Sequence, residues 1–363
     1  MLNLFKVFVC LLTLVSIPAI AVEPPSLLCI KSSNDQSCTS STSGKAVKWH
    51  PGHYVMADRT SIKKKVGNYP NIKGAKIRYF WRDLEPKKGK YDFSEIEKDL
   101  AAFSKINKRL FIYIEYKAFN KQAQNKRCAP EYIKKMGGIG FVYYDDLKRS
   151  AHKGHKIWKC IAQIYKKPVA DRVVALIHAL GNRFNNEPYI EGLLLPETAG
   201  SGGDGSNNSI ANNYRAALKR INTEAKKAFP NSLVFVQTNY LPGGDSAMKN
   251  IMDHALKSGI GVGGPDLFTP NRESSATKLY NQYAGKMPLS ISNERATKVA
   301  GDSPSKAFKY AVTDKNGLHV NYLFWATHNP PPWDFDKNIV PMLKKNNWKI
   351  NKACPANIKC NTN

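Results

Sequence analysis

Two glutamates stand in closely similar settings far apart in the chain. Glu197 ends the stretch Tyr189-Ile-Glu-Gly-Leu-Leu-Leu-Pro-Glu197, and Glu294 ends Pro288-Leu-Ser-Ile-Ser-Asn-Glu294. An apolar run of this length, bounded by turn residues, is too short to span a bilayer and predicts a strand of a parallel sheet, buried on both faces. A carboxylate at the C-terminal end of such a strand points into the crevice where α/β folds keep their sites. One isolated glutamate there is most simply a solvated loop residue. A second in the same setting opens a chemistry. With one carboxyl protonated and the other ionised, the pair can protonate a leaving oxygen while attacking the carbon behind it or activating water there, as cleavage of a glycosidic bond requires. The plain alternative is two ion-paired rim residues.

The elements that would position this pair recur through the chain. Short apolar runs alternate with amphipathic segments, and strands are expected near Ala46–Trp49, Ala75–Trp81, Arg109–Tyr116, Tyr189–Glu197, Ser232–Thr238, Gly259–Val262, Pro288–Ser292 and Leu318–Trp325. Between them, apolar residues fall at helical spacing, as in Ile96, Leu100 and Phe103 or Val173, Leu176, Ile177, Leu180 and Phe184. Asp92, with Glu95 three residues on, reads as a capping box opening one such helix. Eight strand–helix units in order imply right-handed parallel crossovers, and eight close naturally into a (β/α)8 TIM barrel. An open doubly wound sheet is the alternative, but no Gly-rich phosphate turn follows the first strand. In a barrel the strand C-termini converge on one mouth. The residues expected there are His50 and His53, Arg78 and Trp81, Glu115 and Tyr116, Glu197, Asn239 and Tyr240, Asp266, Glu294 and Trp325, with Trp333 on the following loop. Aromatic residues at a rim can stack on sugar rings. Each has a bland reading: Glu115 as a partner of Arg78, Asp266 as a turn cap, the histidines as wall residues, Trp333 as a packed loop aromatic.

One segment carries a resemblance. Trp81-Arg-Asp-Leu-Glu-Pro86-Lys-Lys-Gly89-Lys-Tyr-Asp-Phe93 resembles the W-x-x-(L/I)-E-P-x-x-G-x-Y-D-F segment after strand two of clan A (β/α)8 glycoside hydrolases, the β-galactosidase-like enzymes with their cellulase and mannanase relatives. The resemblance implies a retaining glycosidase with Glu197 as acid/base and Glu294 as nucleophile. It also matches Arg78 to the family's strand-two arginine and Trp325 to its strand-eight aromatic residue. The chain departs at Pro196, where the family carries an Asn that bonds the sugar 2-hydroxyl; an Asn–Glu pair occurs instead at Asn293-Glu294.

Composition bounds the rest. The chain has 363 residues and a formal charge of +27, its lysines spread throughout. Such a charge favours acidic partners or is a solvated lysine surface. The expected partner is a carbohydrate, anionic or neutral, with no specific nucleic acid. Residues 1–21 have a charged start, an apolar core and a small-x-small end, the pattern of a cleaved secretory signal. No later stretch has the length of a membrane span, so an exported protein, periplasmic or secreted, is expected. Residues 22–45 read as an irregular arm, 46–348 as the barrel with a long insertion at 117–167, and 349–363 as a tail. Six cysteines remain after the signal. Proximity favours Cys29–Cys38 and Cys354–Cys360, leaving Cys128–Cys160, although six allow fifteen pairings. No GxSxG motif, helical His pair or zinc spacing competes, and no metal or cofactor is expected. Two other classes fit the composition: a non-catalytic barrel that holds an acidic glycan, and a basic envelope-binding or adhesion protein.

Overall fold

The computed structural model describes residues 45–56, 66–118, 129–143, 157–199, 208–267, 276–294, 303–313, 315–329, 331–346 and 349–362. The expected signal and N-terminal arm, with Cys29 and Cys38, and Cys128 of the insertion lie outside them. Eight parallel strands make one sheet: β1 Gly52–Met56, β2 Ile72–Phe80, β3 Arg109–Glu115, β4 Ile190–Glu197, β5 Leu233–Gln237, β6 Gly261–Gly263, β7 Ser290–Ser292 and β8 Tyr322–Ala326. Neighbours follow chain order from β1 to β6, and β8 lies between β1 and β7. The two edges meet. Val262 bridges Leu289, its N–H donates to Pro288 O at 3.0 Å, and the Ser292 N–H donates to Gly264 O at 2.8 Å. The sheet therefore closes into the (β/α)8 barrel that the alternating pattern predicts.

Strand parity sorts the side chains into two cores. Tyr54, Phe111, Tyr113, Leu194, Phe235, Tyr322 and Phe324 fill the barrel. The Phe111 ring meets those of Tyr54, Phe324 and Tyr322 edge-on, with centroids 5.2, 5.3 and 5.4 Å away. That arrangement sets the positive ring edge against the negative face. The opposite parity, including Val55, Ile77, Ile112, Leu193 and Val236, packs outward under the helices. Each such side chain, once fully buried, contributes roughly 1.5–3 kcal/mol. Gly192 marks the tight seam between β4 and β5, since a Cβ there would lie 2.4 Å from Leu233 O.

The helices Ser94–Ser104, Lys167–Phe184, Asn208–Ala228, Gly244–Lys257 and Pro304–Val312 cover the barrel and bury the faces their spacing predicts. At the first of these, Asp92 accepts the Ser94 N–H at 3.0 Å. The last helix starts as a π turn, Phe335–Ile339, and continues as Val340–Lys345. None of the described helices is long and apolar enough to cross a membrane.

The first strand needs correction. Val47–Lys48 is extended, as the pattern near Ala46–Trp49 suggests, but it pairs with Cys360–Asn361 in a separate two-stranded sheet. Pro51 has no N–H to give a ladder, and the barrel strand begins only at Gly52. Trp49 is buried below the barrel, its indole N–H donating to Lys352 O at 2.9 Å. Cys354 and Cys360 are bonded, the terminal clip that proximity favours, with Cα atoms 5.9 Å apart. The described residues of the insertion include three strands. Lys117–Ala118 pairs antiparallel with Ile157–Ala162, which pairs in turn with Ile139–Tyr143. Cys160, in the middle strand, is disulfide-bonded.

Candidate active site

The C-terminal ends of β2, β3, β4, β5 and β7 bring charged and polar side chains together. Lys76 and Arg78 share the inward parity of β2. The Lys76 ammonium is buried, donates to Ser292 Oγ at 2.8 Å and to Glu294 Oε1 at 3.2 Å, and lies 4.9 Å over the Tyr113 ring. Burial lowers its pKa, and the charge of Glu294 opposes that shift. Arg78 Nη2 donates to the other Glu294 oxygen, Oε2, at 3.3 Å, and its Nε lies 3.9 Å from Glu115 Oε2. Glu294 thus sits between two cations with its side chain still 22% exposed. Opposite charges at this range favour the ionised carboxylate. The main chain holds it in place: the Glu294 N–H donates to Pro265 O at 3.0 Å, and Asn293 Oδ1 accepts the Ala326 N–H of β8 at 2.5 Å. The amide oxygen of the Asn–Glu pair is therefore committed to the barrel wall.

Glu197 is partnered differently. Among the described residues, its Oε2 accepts a neutral N–H, from Asn239 Nδ2 at 2.7 Å. Pro196 interrupts the β4–β5 register between Leu195 and Glu197, and pairing resumes at Glu197 with Gln237. Thr198 then ties the turn down, its N–H donating to Gln237 O at 2.8 Å and its hydroxyl to Tyr240 O at 3.0 Å. Tyr113 and Arg78 lie within electrostatic reach of both Glu197 and Glu294. Burial, with the charges of Glu115, Glu294 and Glu197 adding to it, pushes the Tyr113 hydroxyl well above its ordinary pKa.

Glu115 is the third carboxyl of the cluster. It accepts the N–H groups of Tyr116 and Lys117 on Oε1, each at 3.0 Å, and the Tyr113 hydroxyl on Oε2 at 3.3 Å. Burial outweighs the pull of Arg78 and Lys117 and raises its pKa to about 7. The mouth therefore holds carboxyls in unlike environments, which is how one site keeps an acid and a base at the same pH.

Of the residues expected at the mouth, Arg78, Glu115, Glu197, Asn239 and Glu294 converge. Asp266, in the loop after β6, bridges Asn293 beside Glu294. Tyr240 is 51% exposed at the end of β5. The other aromatic residues do not form a rim. Trp81 is fully buried, its indole N–H donating to Glu85 Oε2 at 2.8 Å, and its ring is edge-on to Tyr116. Glu85 also accepts the Gly89 N–H at 2.8 Å and pairs with Arg172, so the Trp81–Phe93 segment is a brace between β2 and the helix layer. Tyr116 and Trp333 are buried in that same layer. Trp325 takes the outward parity of β8, where its N–H reaches His53 Nδ1 at 3.2 Å and its ring meets Phe308. All four rings are covered and offer no open face to a sugar. His53 lies behind the wall, and burial lowers its pKa to about 4. His50 lies at the opposite end of the barrel, 2.8 Å from Glu191.

Lys76, Tyr113, Ser292 and Lys117 belong to the cluster although their types did not single them out. The signal for Lys76 is its position two residues before Arg78 in the same strand, which gives the two the same facing.

No protein-family model matches this chain, and no curated protein matches it in sequence. Solved structures do resemble it. The catalytic domain of beta-amylase from Paenibacillus polymyxa superposes at a TM-score of 0.55 and 10% identity, over 77% of this chain and 93% of that one. Endo-glycoceramidase II from Rhodococcus sp. gives 0.53 and 10%, over 82% and 80%. Beta-galactosidase from Bacillus circulans sp. alkalophilus gives 0.50 and 12%, over 77% of this chain and 50% of that longer one. At such identities the shared property is the backbone, a (β/α)8 barrel of the architecture those three enzymes use.

Proposed function

We propose that the protein is an exported glycoside hydrolase that cleaves an oligo- or polysaccharide by double displacement. The observation that carries the reading is the unlike environment of two glutamates at the ends of β4 and β7. Glu294 is held by Lys76 and Arg78, and Glu197 by one neutral amide. The Glu294 carboxylate attacks the anomeric carbon while Glu197 gives its proton to the leaving oxygen. Glu197, now ionised, takes a proton from the water that displaces Glu294, and both groups return to their starting states. Arg78 and Lys76 keep the nucleophile ionised and orient it. The three structures of similar backbone named above are enzymes of glycosidic bonds, which supports the class, and the leader-like start with the Cys354–Cys360 bond supports export.

The test is a panel of aryl glycosides and polysaccharides, acidic glycans included because of the +27 charge. On an activated aryl glycoside, Glu197→Ala should retain glycosylation, and added azide should restore turnover as a glycosyl azide. Azide rescue of Glu294→Ala with retained stereochemistry would reverse the two roles. Binding of a glycan by the wild type without turnover of any substrate would leave a lectin-like barrel.

A further inference from the structure

We propose that Lys117 is a positioning residue for Glu197, and that the antiparallel insertion exists at the mouth to deliver it. This rests on the reading of Glu197 as the acid/base. Pairing between β3 and β4 ends at Tyr113 with Leu194, although β3 runs on to Glu115 and β4 to Glu197. Beyond that point the β4 edge facing β3 has no ladder, and on the β5 side Pro196 shifts the register before pairing resumes at Glu197 with Gln237. The Lys117 ammonium fills the gap. It donates to the Glu197 carbonyl, to Ala199 O at 3.0 Å and to the Tyr214 hydroxyl at 3.5 Å, so its three N–H groups have three acceptors. Tyr214 in turn donates to Thr198 O at 2.8 Å. The carbonyls of three consecutive residues starting at Glu197 are thereby held by one buried lysine and its tyrosine neighbour.

The lysine is itself fixed. Its N–H donates to Glu115 Oε1, and its strand pairs Lys117 with Ile161 and Ala118 with the disulfide-bonded Cys160. Lys159, on the same middle strand, is buried and within electrostatic reach of Lys117 and Glu197. The insertion thus acts on the turn that aims the Glu197 carboxyl, and it joins that turn to Glu115 through one residue. Misplacing a catalytic group by an ångström or so can cost about 10²-fold in rate.

The experiment compares wild type, Lys117→Met and Lys117→Arg on two aryl glycosides of the same sugar, phenyl and 2,4-dinitrophenyl. Only the phenyl leaving group needs a proton. Lys117→Met should lose about 10²-fold in kcat/KM, which reports the glycosylation step, on the phenyl glycoside and less than about threefold on the dinitrophenyl one, and Lys117→Arg should recover part of the loss. An equal loss on both substrates overturns the proposal, because a merely structural lysine lowers both alike. Hydrogen exchange of the peptide spanning 193–199 supplies a readout that needs no activity. Faster exchange there in Lys117→Met, with the global melting temperature little changed, supports the clamp; unchanged exchange overturns it. If the wild type hydrolyses neither glycoside, the acid/base reading of Glu197 fails, and the exchange data still decide whether Lys117 holds the turn.

Discussion

The barrel carries a carboxylate–cation cluster at each end, and the two are finished differently. At the N-terminal end Glu191 is fully buried. Its Oε1 accepts the His50 N–H at 2.7 Å and the Tyr322 hydroxyl at 2.8 Å, and its Oε2 lies 2.8 Å from His50 Nδ1 and 3.5 Å from Arg109. Burial alone would raise its pKa, but His50, Arg109 and Tyr322 outweigh that and hold the carboxyl below its ordinary value. Trp49 and the short sheet of Val47–Lys48 with Cys360–Asn361 close this end. At the C-terminal end the partners are similar in kind, but Glu294 keeps a solvent-facing side and Glu115 is pushed the other way, to about 7. A buried charge with every oxygen partnered is costly to disrupt; a cluster with reach to solvent and unlike carboxyls is suited to chemistry. In barrels of this type the bottom serves stability and the top serves reaction.

The comparison breaks most sharply at Glu294, the proposed nucleophile. Glu294→Gln should lower turnover on the order of 10⁴-fold while the melting temperature stays near that of the wild type, checked by steady-state kinetics beside calorimetry. Near-normal turnover would place the chemistry elsewhere. The same exchange at the other end, Glu191→Gln, should leave kcat intact below the melting transition and cost about 3–5 kcal/mol of stability, because it leaves Arg109 and His50 without their charge partner. Denaturant titration measures that cost, and a variant that loses activity at unchanged stability would invert the two ends.

Glu115 tests the contrast through pH. Its folded carboxyl titrates near 7 against an ordinary 4.5. Between those values the folded state holds a proton that the unfolded state has released, so stability falls as pH rises through that window. Glu115→Gln should flatten the fall, a difference on the order of 3 kcal/mol by pH 8, read as urea midpoints from pH 4 to 8. Coincident slopes for variant and wild type would mean that Glu115 carries no raised pKa. The smallest effect belongs to the clip below the barrel. Cys354→Ser with Cys360→Ser should cost about 1–2 kcal/mol, since the closed loop is short, and should not touch kcat; a change in activity would show that the bottom is coupled to the mouth.

Much of this molecule is legible in the order of its residues, and the limit has a physical cause. The run Leu193–Leu195 ending at Glu197, its counterpart before Glu294, and the 3.6-residue spacing of the helix faces depend on local burial pattern alone. They suffice for a (β/α)8 barrel with two glutamates at its mouth. A parallel strand covered on both faces is apolar at most positions, however, so its sequence carries little record of which parity faces inward. That choice turned Trp325 toward the helices and Lys76 toward Glu294, and only closure of the barrel made it. Trp81, expected at the rim, is instead buried against Glu85, which Gly89 and Arg172 hold in turn. The partners of Val47 and Lys48 lie more than 300 residues away at Cys360 and Asn361, and the carbonyls that Lys117 holds lie about 80 residues on. Lysine on a sequence reads as solvated surface, because burying its charge is costly unless partners compensate. Whether those partners exist is decided by which strand ends meet, and therefore by the tertiary structure alone.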